Sequence, residues 1–169
     1  RGNDMEQKKT ELTSNTFKNM HVSDYYLNAI EQISENTNKK DETELKVFVN
    51  AVCNNETKEE FNGTFDEFIN RMIENNEMQK VEKIIHLIGK IGAKFPQFSE
   101  KTINALIHII DEHMEPEICK PAIQEMGKIG HVRENTCNKI IDEINKVTHE
   151  VTDHDVTIEA IHALYEIGL

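Results

Sequence analysis

A repeat of 38 residues constrains this chain more than any other feature. The segments Ile88-Gly89-Lys90-Ile91-Gly92, Met126-Gly127-Lys128-Ile129-Gly130 and Leu164-Tyr165-Glu166-Ile167-Gly168 follow one another at two successive steps of 38. A fixed period marks an array of supersecondary units, none of which can bury its apolar face without its neighbours. Laying the three segments on one another aligns Ile84, Ala122 and Ala160, then Ile85, Ile123 and Ile161, then Ile88, Met126 and Leu164. Offsets of one and four trace a single face of a helix.

The same step aligns a second set of apolar positions. Leu27, Phe65, Ile103 and Ile141 fall in register, as do Ile30, Phe68, Leu106 and Ile144. β-type alternation is absent, so each unit reads as two amphipathic helices. The first helices are expected near residues 24–35, 65–75, 100–113 and 137–148, and the second near 42–53, 77–91, 115–129 and 153–167. The expected fold is all-α, an α-solenoid of about four antiparallel helix pairs.

Local punctuation supports this division. Thr64 with Glu67 has the form of a capping box, and Ser99, Asn76 and Thr152 can cap three more helices. Gly92 and Gly130 stand where a helix is expected to stop. Pro116 suits a first turn, whereas Pro121 lies deeper and is expected to kink or delay its helix. The Asn-rich stretches 34–41 and 53–63 read as loops, which makes the N-terminal repeat the least regular, as expected of a capping unit. Residues 1–23 read as an irregular N-terminal segment, and 24–169 as the repeat domain. The opening Arg1-Gly2-Asn3-Asp4 has the look of a processing boundary and takes no part in the fold reading.

The ends of the second helices, IGKIG, MGKIG and LYEIG, resemble those of the HEAT-repeat family, and the resemblance runs from about Tyr25 onward. It implies antiparallel helix pairs stacked into a solenoid. It implies little about activity, since that family includes transport receptors, phosphatase scaffolds, chromosome-organising subunits and a few enzymes. Ankyrin and tetratricopeptide arrays fit less well, because their steps are roughly 33 to 34 residues.

Charge and composition exclude several classes. With 19 Lys and Arg against 31 Asp and Glu, the net charge is −12. Such a chain repels a phosphate backbone and lacks the electrostatic term behind most nucleic-acid affinity, so no nucleic acid is expected as a partner. No apolar run approaches the roughly 18 to 20 residues that span a bilayer, so no membrane partner is expected either. Cys53, Cys119 and Cys137 are odd in number and lack paired spacing. They point to a reducing, cytoplasmic setting with buried thiols rather than to a disulfide framework. The sequons at Asn55 and Asn62 are attributed to the abundance of Asn.

Function on a repeat array falls to the residues that stacking places side by side. In HEAT-like arrays the second helices line the concave surface, where the period forms ladders from His86, Gln124 and His162, and from Lys90, Lys128 and Glu166. Lys83, Pro121 and Glu159 lie beside them. The lysines gather toward one end and Glu159 and Glu166 toward the other, a polarity able to orient a charged protein or peptide, expected to have basic character. An exposed helix face is polar in any soluble protein, which is the plainer account of the same residues. His149, Asp153, His154 and Asp155 cluster, yet they straddle a predicted loop and share no helix face, so no metal site is expected. A di-iron hydroxylase family of HEAT-like fold uses repeated His-Glu pairs; here His149-Glu150 has that form, but Asp111 and Glu112 stand one period earlier. No phosphate-cradling Gly-rich loop is present, and neither catalysis nor a cofactor is expected. The reading is a non-catalytic interaction scaffold. Its alternative is a structural piece of a longer solenoid, or a homo-oligomer formed through the C-terminal end, where Leu164, Ile167 and Leu169 lack a covering helix.

Overall fold

The computed structural model describes residues 66, 67 and 69–168. The chain divides between residues 61 and 62, and all described residues belong to the second unit, Asn62–Leu169. The expected helices at 24–35 and 42–53, the two Asn-rich loops, the Thr64 cap, Cys53, Phe65 and Phe68 lie outside the described residues.

All regular structure among the described residues is helical. Helical turns at 69–74 precede α1 (Met78–Lys94), α2 (Ser99–His113), α3 (Pro116–Val132), α4 (Cys137–Glu150) and α5 (His154–Ile167). Short 3-10 segments, Pro96–Phe98 and Glu134–Thr136, lead into α2 and α4. The element starts repeat the sequence period: Met78, Pro116 and His154 open α1, α3 and α5 at steps of 38, and Ser99 and Cys137 open α2 and α4 at the same step. Equivalent residues therefore occupy equivalent structural positions.

The packing follows from the apolar faces. α3 lies along α1 on one side and α5 on the other, and these are the most extensive helix contacts. α2 packs on α1 and α3, α4 packs on α3 and α5, and α2 also touches α4. Ile84, Ile85, Ile88 and Ile91 of α1 are buried, as are Ile103, Leu106, Ile109 and Ile110 of α2 and Ile118, Ile123, Met126 and Ile129 of α3. Each such side chain removed from water contributes on the order of 1.5 to 3 kcal/mol, against the entropy of ordering it. The expected apolar face is incompletely covered toward α5: Ile85 and Ile123 are fully buried, but Ile161 is 59% exposed, and Ile141 and Leu164 are half-buried.

Gly92 and Gly130 do not stop their helices. α1 runs on to Lys94 and α3 to Val132, so both glycines lie inside a helix and are buried. Their role is close approach. A Cβ on Gly92 would run into Thr102 Oγ1 of α2, and one on Gly130 would come within 2.9 Å of Ile167 Cγ1 and 3.0 Å of Ile140 Cδ1. Gly168, one period after Gly130, does end its helix: its φ is 96°, and its N–H donates back to Leu164 O and Tyr165 O.

The caps also differ in detail. Neither Asn76 nor Thr152 caps a helix; Glu77 and Asp153 precede α1 and α5, and Asp153 Oδ1 accepts from Val156 N at 3.0 Å. Ser99 is the first residue of α2 rather than its cap, and its hydroxyl donates to Pro96 O at 2.7 Å. Pro116 sits in the first turn of α3 as expected. Pro121 does not delay that helix, which already starts at Pro116, and its ring is buried. Lying near the N-terminus, it removes only the bond to the Glu117 carbonyl. Arg133 joins the C-termini of two helices, donating from Nη2 to Ala93 O at 2.8 Å, where a cation favours the helix dipole.

Gly127 makes the tightest of these approaches to backbone, since a Cβ there would lie 2.9 Å from Ala163 Cα. Helix propensity alone favours Ala over Gly by about 1 kcal/mol. Packing reverses the sign, and Gly127→Ala is expected to lower stability by about 1 to 3 kcal/mol in urea unfolding. A gain in stability would show that α3 and α5 do not meet there.

Candidate functional site

The sequence-predicted ladders fall on α1, α3 and α5, the helices that pack side by side. Lys83, Lys90, Lys128, His162 and Glu166 are exposed, and His86, Gln124 and Glu159 are half-buried. Two parts of this set are drawn together. His86 Nδ1 donates to Glu125 Oε1 at 2.7 Å, and Lys128 Nζ reaches the same oxygen at 3.2 Å. His86 Nε2 also lies 3.5 Å from Glu82 Oε1. Gln124 and Glu159 contribute instead to an open depression of about 310 Å³. Its apolar contacts come from Met78 and Pro121, its amides from Gln79 and Gln124, and its charges from Glu82, Glu117, Glu159 and Lys120. Lys83, Lys90, His162 and Glu166 are not part of its wall. Lys120 is directed toward Asp155, at 3.9 Å, which leaves the depression with an excess of carboxylates.

Sequence reasoning missed Glu125. It is 1% exposed, yet the residues one period away, Leu87 and Ala163, are buried apolar residues. The carboxylate fits because Gly89 leaves room for it: a Cβ on Gly89 would overlap the Glu125 side chain. A buried ion needs partners, and His86 from α1 and Lys128 from one turn along α3 supply them. Of the predicted ladder residues, His86 thus joins α1 to α3 and Lys128 braces Glu125 within α3, instead of standing free. The legible signal was a carboxylate breaking an apolar register.

Glu143 on α4 is a second buried carboxylate, at a register position that also holds the exposed Glu67. One period earlier stands Ala105, fully buried, and Glu143 is itself buried, with Oε1 lacking a hydrogen-bond partner. Burial, followed by a hydrogen bond to Asp111 and that residue's charge, pushes its carboxyl up to about 8. Burial alone would raise Asp111 as well, but hydrogen bonds from Glu143 and Lys146 outweigh it and hold Asp111 below the usual carboxylate range. Lys146 Nζ lies 3.0 Å from Asp111 Oδ1. A protonated Glu143 donating to an ionised Asp111 accounts for both directions.

The two thiols among the described residues are poor nucleophiles. Cys119 is buried, and desolvation, with the nearby charges of Glu115, Glu143, Asp111 and Glu117, pushes it up to about 12. Cys137 is half-buried rather than buried, and its Sγ donates to Gly130 O at 3.3 Å. His149 Nδ1 donates to Asn145 O at 2.7 Å within its own helix, and Asp153 caps α5. Among the described residues no three His, Cys, Asp or Glu side chains converge as metal ligands, and no helix is long and apolar enough to cross a membrane. Comparison with protein-family models, with curated proteins and with solved structures finds no match to this chain.

The Asp111–Glu143 pair makes stability depend on pH. A carboxyl kept protonated in the fold but free to ionise near 4.5 in the unfolded chain stabilises the fold fully below that value, and loses this contribution as pH rises through about 8. Asp111 acts in the opposite sense, and its contribution is lost only in acid. The melting temperature of the wild type is therefore expected to fall between pH 5 and pH 9, and that of Glu143→Gln to fall less. Parallel profiles in thermal unfolding would show that the pair does not share a proton.

Proposed function

We propose that this protein is a non-catalytic interaction scaffold: an α-solenoid of HEAT-like helix pairs that binds a protein or peptide of basic character on the face formed by α1, α3 and α5. The repeat of element starts at 38 residues and the side-by-side packing of α3 with α1 and α5 support the architectural part. The depression carries the functional part. Glu82, Glu117 and Glu159 surround a space of about 310 Å³ beside the methionine and proline surfaces of Met78 and Pro121. A Lys or Arg side chain suits such a site, with its stem on the apolar surface and its head among carboxylates. The net charge of −12 adds long-range attraction for a basic partner. Exposed Lys83 and Lys90 lie on the same helix as Glu82, so the face offers both signs of charge and can fix the direction of a bound chain. No cofactor enters this reading, and the buried Cys119 thiol suits a reducing, cytoplasmic setting.

A second reading, coverage of the C-terminal end by self-association or by further solenoid, is favoured by exposed Ile161 and Tyr165 on α5.

Selection of peptides from a random displayed library tests the first reading. Bound peptides are expected to be enriched in Lys and Arg, and to lose at least about tenfold in affinity for a folded Glu82→Gln, Glu117→Gln, Glu159→Gln variant. Enriched peptides that bind the variant equally well would place the site elsewhere.

A further inference from the structure

We infer that His86 is a pH-sensitive positioning residue: on gaining its second ring proton it draws the Glu82 carboxylate out of the depression, so that the depression holds a basic side chain more weakly in mild acid than at neutral pH. The inference rests on the basic-partner reading of the depression, and it concerns how the charge of that site is set.

The neighbouring helix fixes the ring. His86 Nδ1 lies 2.7 Å from Oε1 of the buried Glu125, and Lys128 Nζ, which can only donate, reaches the same oxygen at 3.2 Å. That oxygen is therefore an acceptor, and Nδ1 carries the hydrogen between them. In the neutral ring Nε2 is then bare, because only one ring nitrogen bears a hydrogen. Gly89 makes the arrangement possible by leaving room in the α1–α3 seam for the Glu125 side chain.

The bare nitrogen faces the depression's wall. Glu82 stands one turn earlier on α1, with its Oε1 3.5 Å from His86 Nε2. While the ring is neutral, two acceptors face one another and nothing holds the carboxylate there. Once Nε2 is protonated it donates to Glu82, and the positive charge on the ring strengthens the bond. Glu82 is exposed and can turn either way, and it is one of the three carboxylates that line the depression. His86 is not in that wall. Acid thus acts twice in one direction, engaging a carboxylate of the site and placing a cation beside it. Histidine ordinarily changes charge at about pH 6.5, within the range over which proteins encounter one another.

The charged groups around the ring come from two helices. Glu82 and Lys90 stand one turn to either side of it on α1, and Glu125 and Lys128 face it from α3. Among the described residues the ion pairs of the ring are with Glu82 and Glu125. The repeat supplies a control: the equivalent of His86 is Gln124 in the next unit, which does not titrate, and exposed His162 in the one after.

The test uses the full chain and an acetylated, amidated arginine-rich peptide, whose own charge is constant between pH 5.5 and pH 7.5. Binding is followed by fluorescence anisotropy at fixed ionic strength, and thermal unfolding verifies that each variant is folded at both pH values. Affinity for the wild type is expected to fall about twofold to fivefold from pH 7.5 to pH 5.5, the range of an exposed ion pair. His86→Gln is expected to bind alike at the two pH values, whereas His162→Gln keeps the wild-type ratio. A second readout needs no ligand: nitrogen NMR of the free protein is expected to show the neutral His86 ring protonated on Nδ1. A neutral ring protonated on Nε2, a wild-type affinity that does not fall in acid, or a fall that persists in His86→Gln would overturn the inference and leave the basic-partner reading standing. Absence of binding at both pH values would overturn that reading, and the inference with it.

Discussion

The close approach of α3 to its neighbours is the constraint on which the other features depend. Gly89 admits the Glu125 side chain between α1 and α3, and Gly127 admits the Ala163 backbone between α3 and α5. A glycine inside a helix carries an entropic cost of about 1 kcal/mol relative to alanine, which tertiary contact must offset. It does so because two helices brought this near bury whole isoleucine faces, with Ile85 and Ile123 fully removed from water. The position of the glycine within each unit thus decides which flank the next unit covers.

The same approach sets the electrostatics. A carboxylate enters the α1–α3 seam where an adjacent unit has leucine or alanine, and it is tolerated because His86 and Lys128 reach its oxygen. The second buried carboxylate, Glu143, has no cation of its own on Oε1 and lies beside Asp111, so it remains neutral well above the usual carboxylate range. One buried acid is held by partners and the other by a proton. Only Glu125 occupies an apolar position of the repeat, between Leu87 and Ala163; the register of Glu143 holds Ala105 and the exposed Glu67.

α1, α3 and α5 leave chemically different surfaces uncovered. The depression between Met78 and Glu159 is lined by Glu82, Glu117 and Glu159 with one cation, Lys120. On α5, Ile158, Ile161 and Tyr165 stay exposed.

Much of the fold among the described residues was legible in sequence, because a helix face repeats its apolar residues whatever it packs against. The starts of α3 and α5 fall within one residue of expectation. The ends were less legible: Gly92 and Gly130 look like stop signals, and only the nearness of Thr102 and Ile167 shows that they are contact glycines inside helices. The ladder residues lie on the helices assigned to them, but the burial of Glu125 and the diversion of His86 and Lys128 to it required a neighbouring helix, which periodicity along one chain does not contain. The sequence by itself determined which residues share a face and how often that face recurs, since both follow from helical geometry. Tertiary structure alone decided which faces are covered, which charges are paired and which apolar stripe stays open, since these depend on distances between helices rather than on spacing within them.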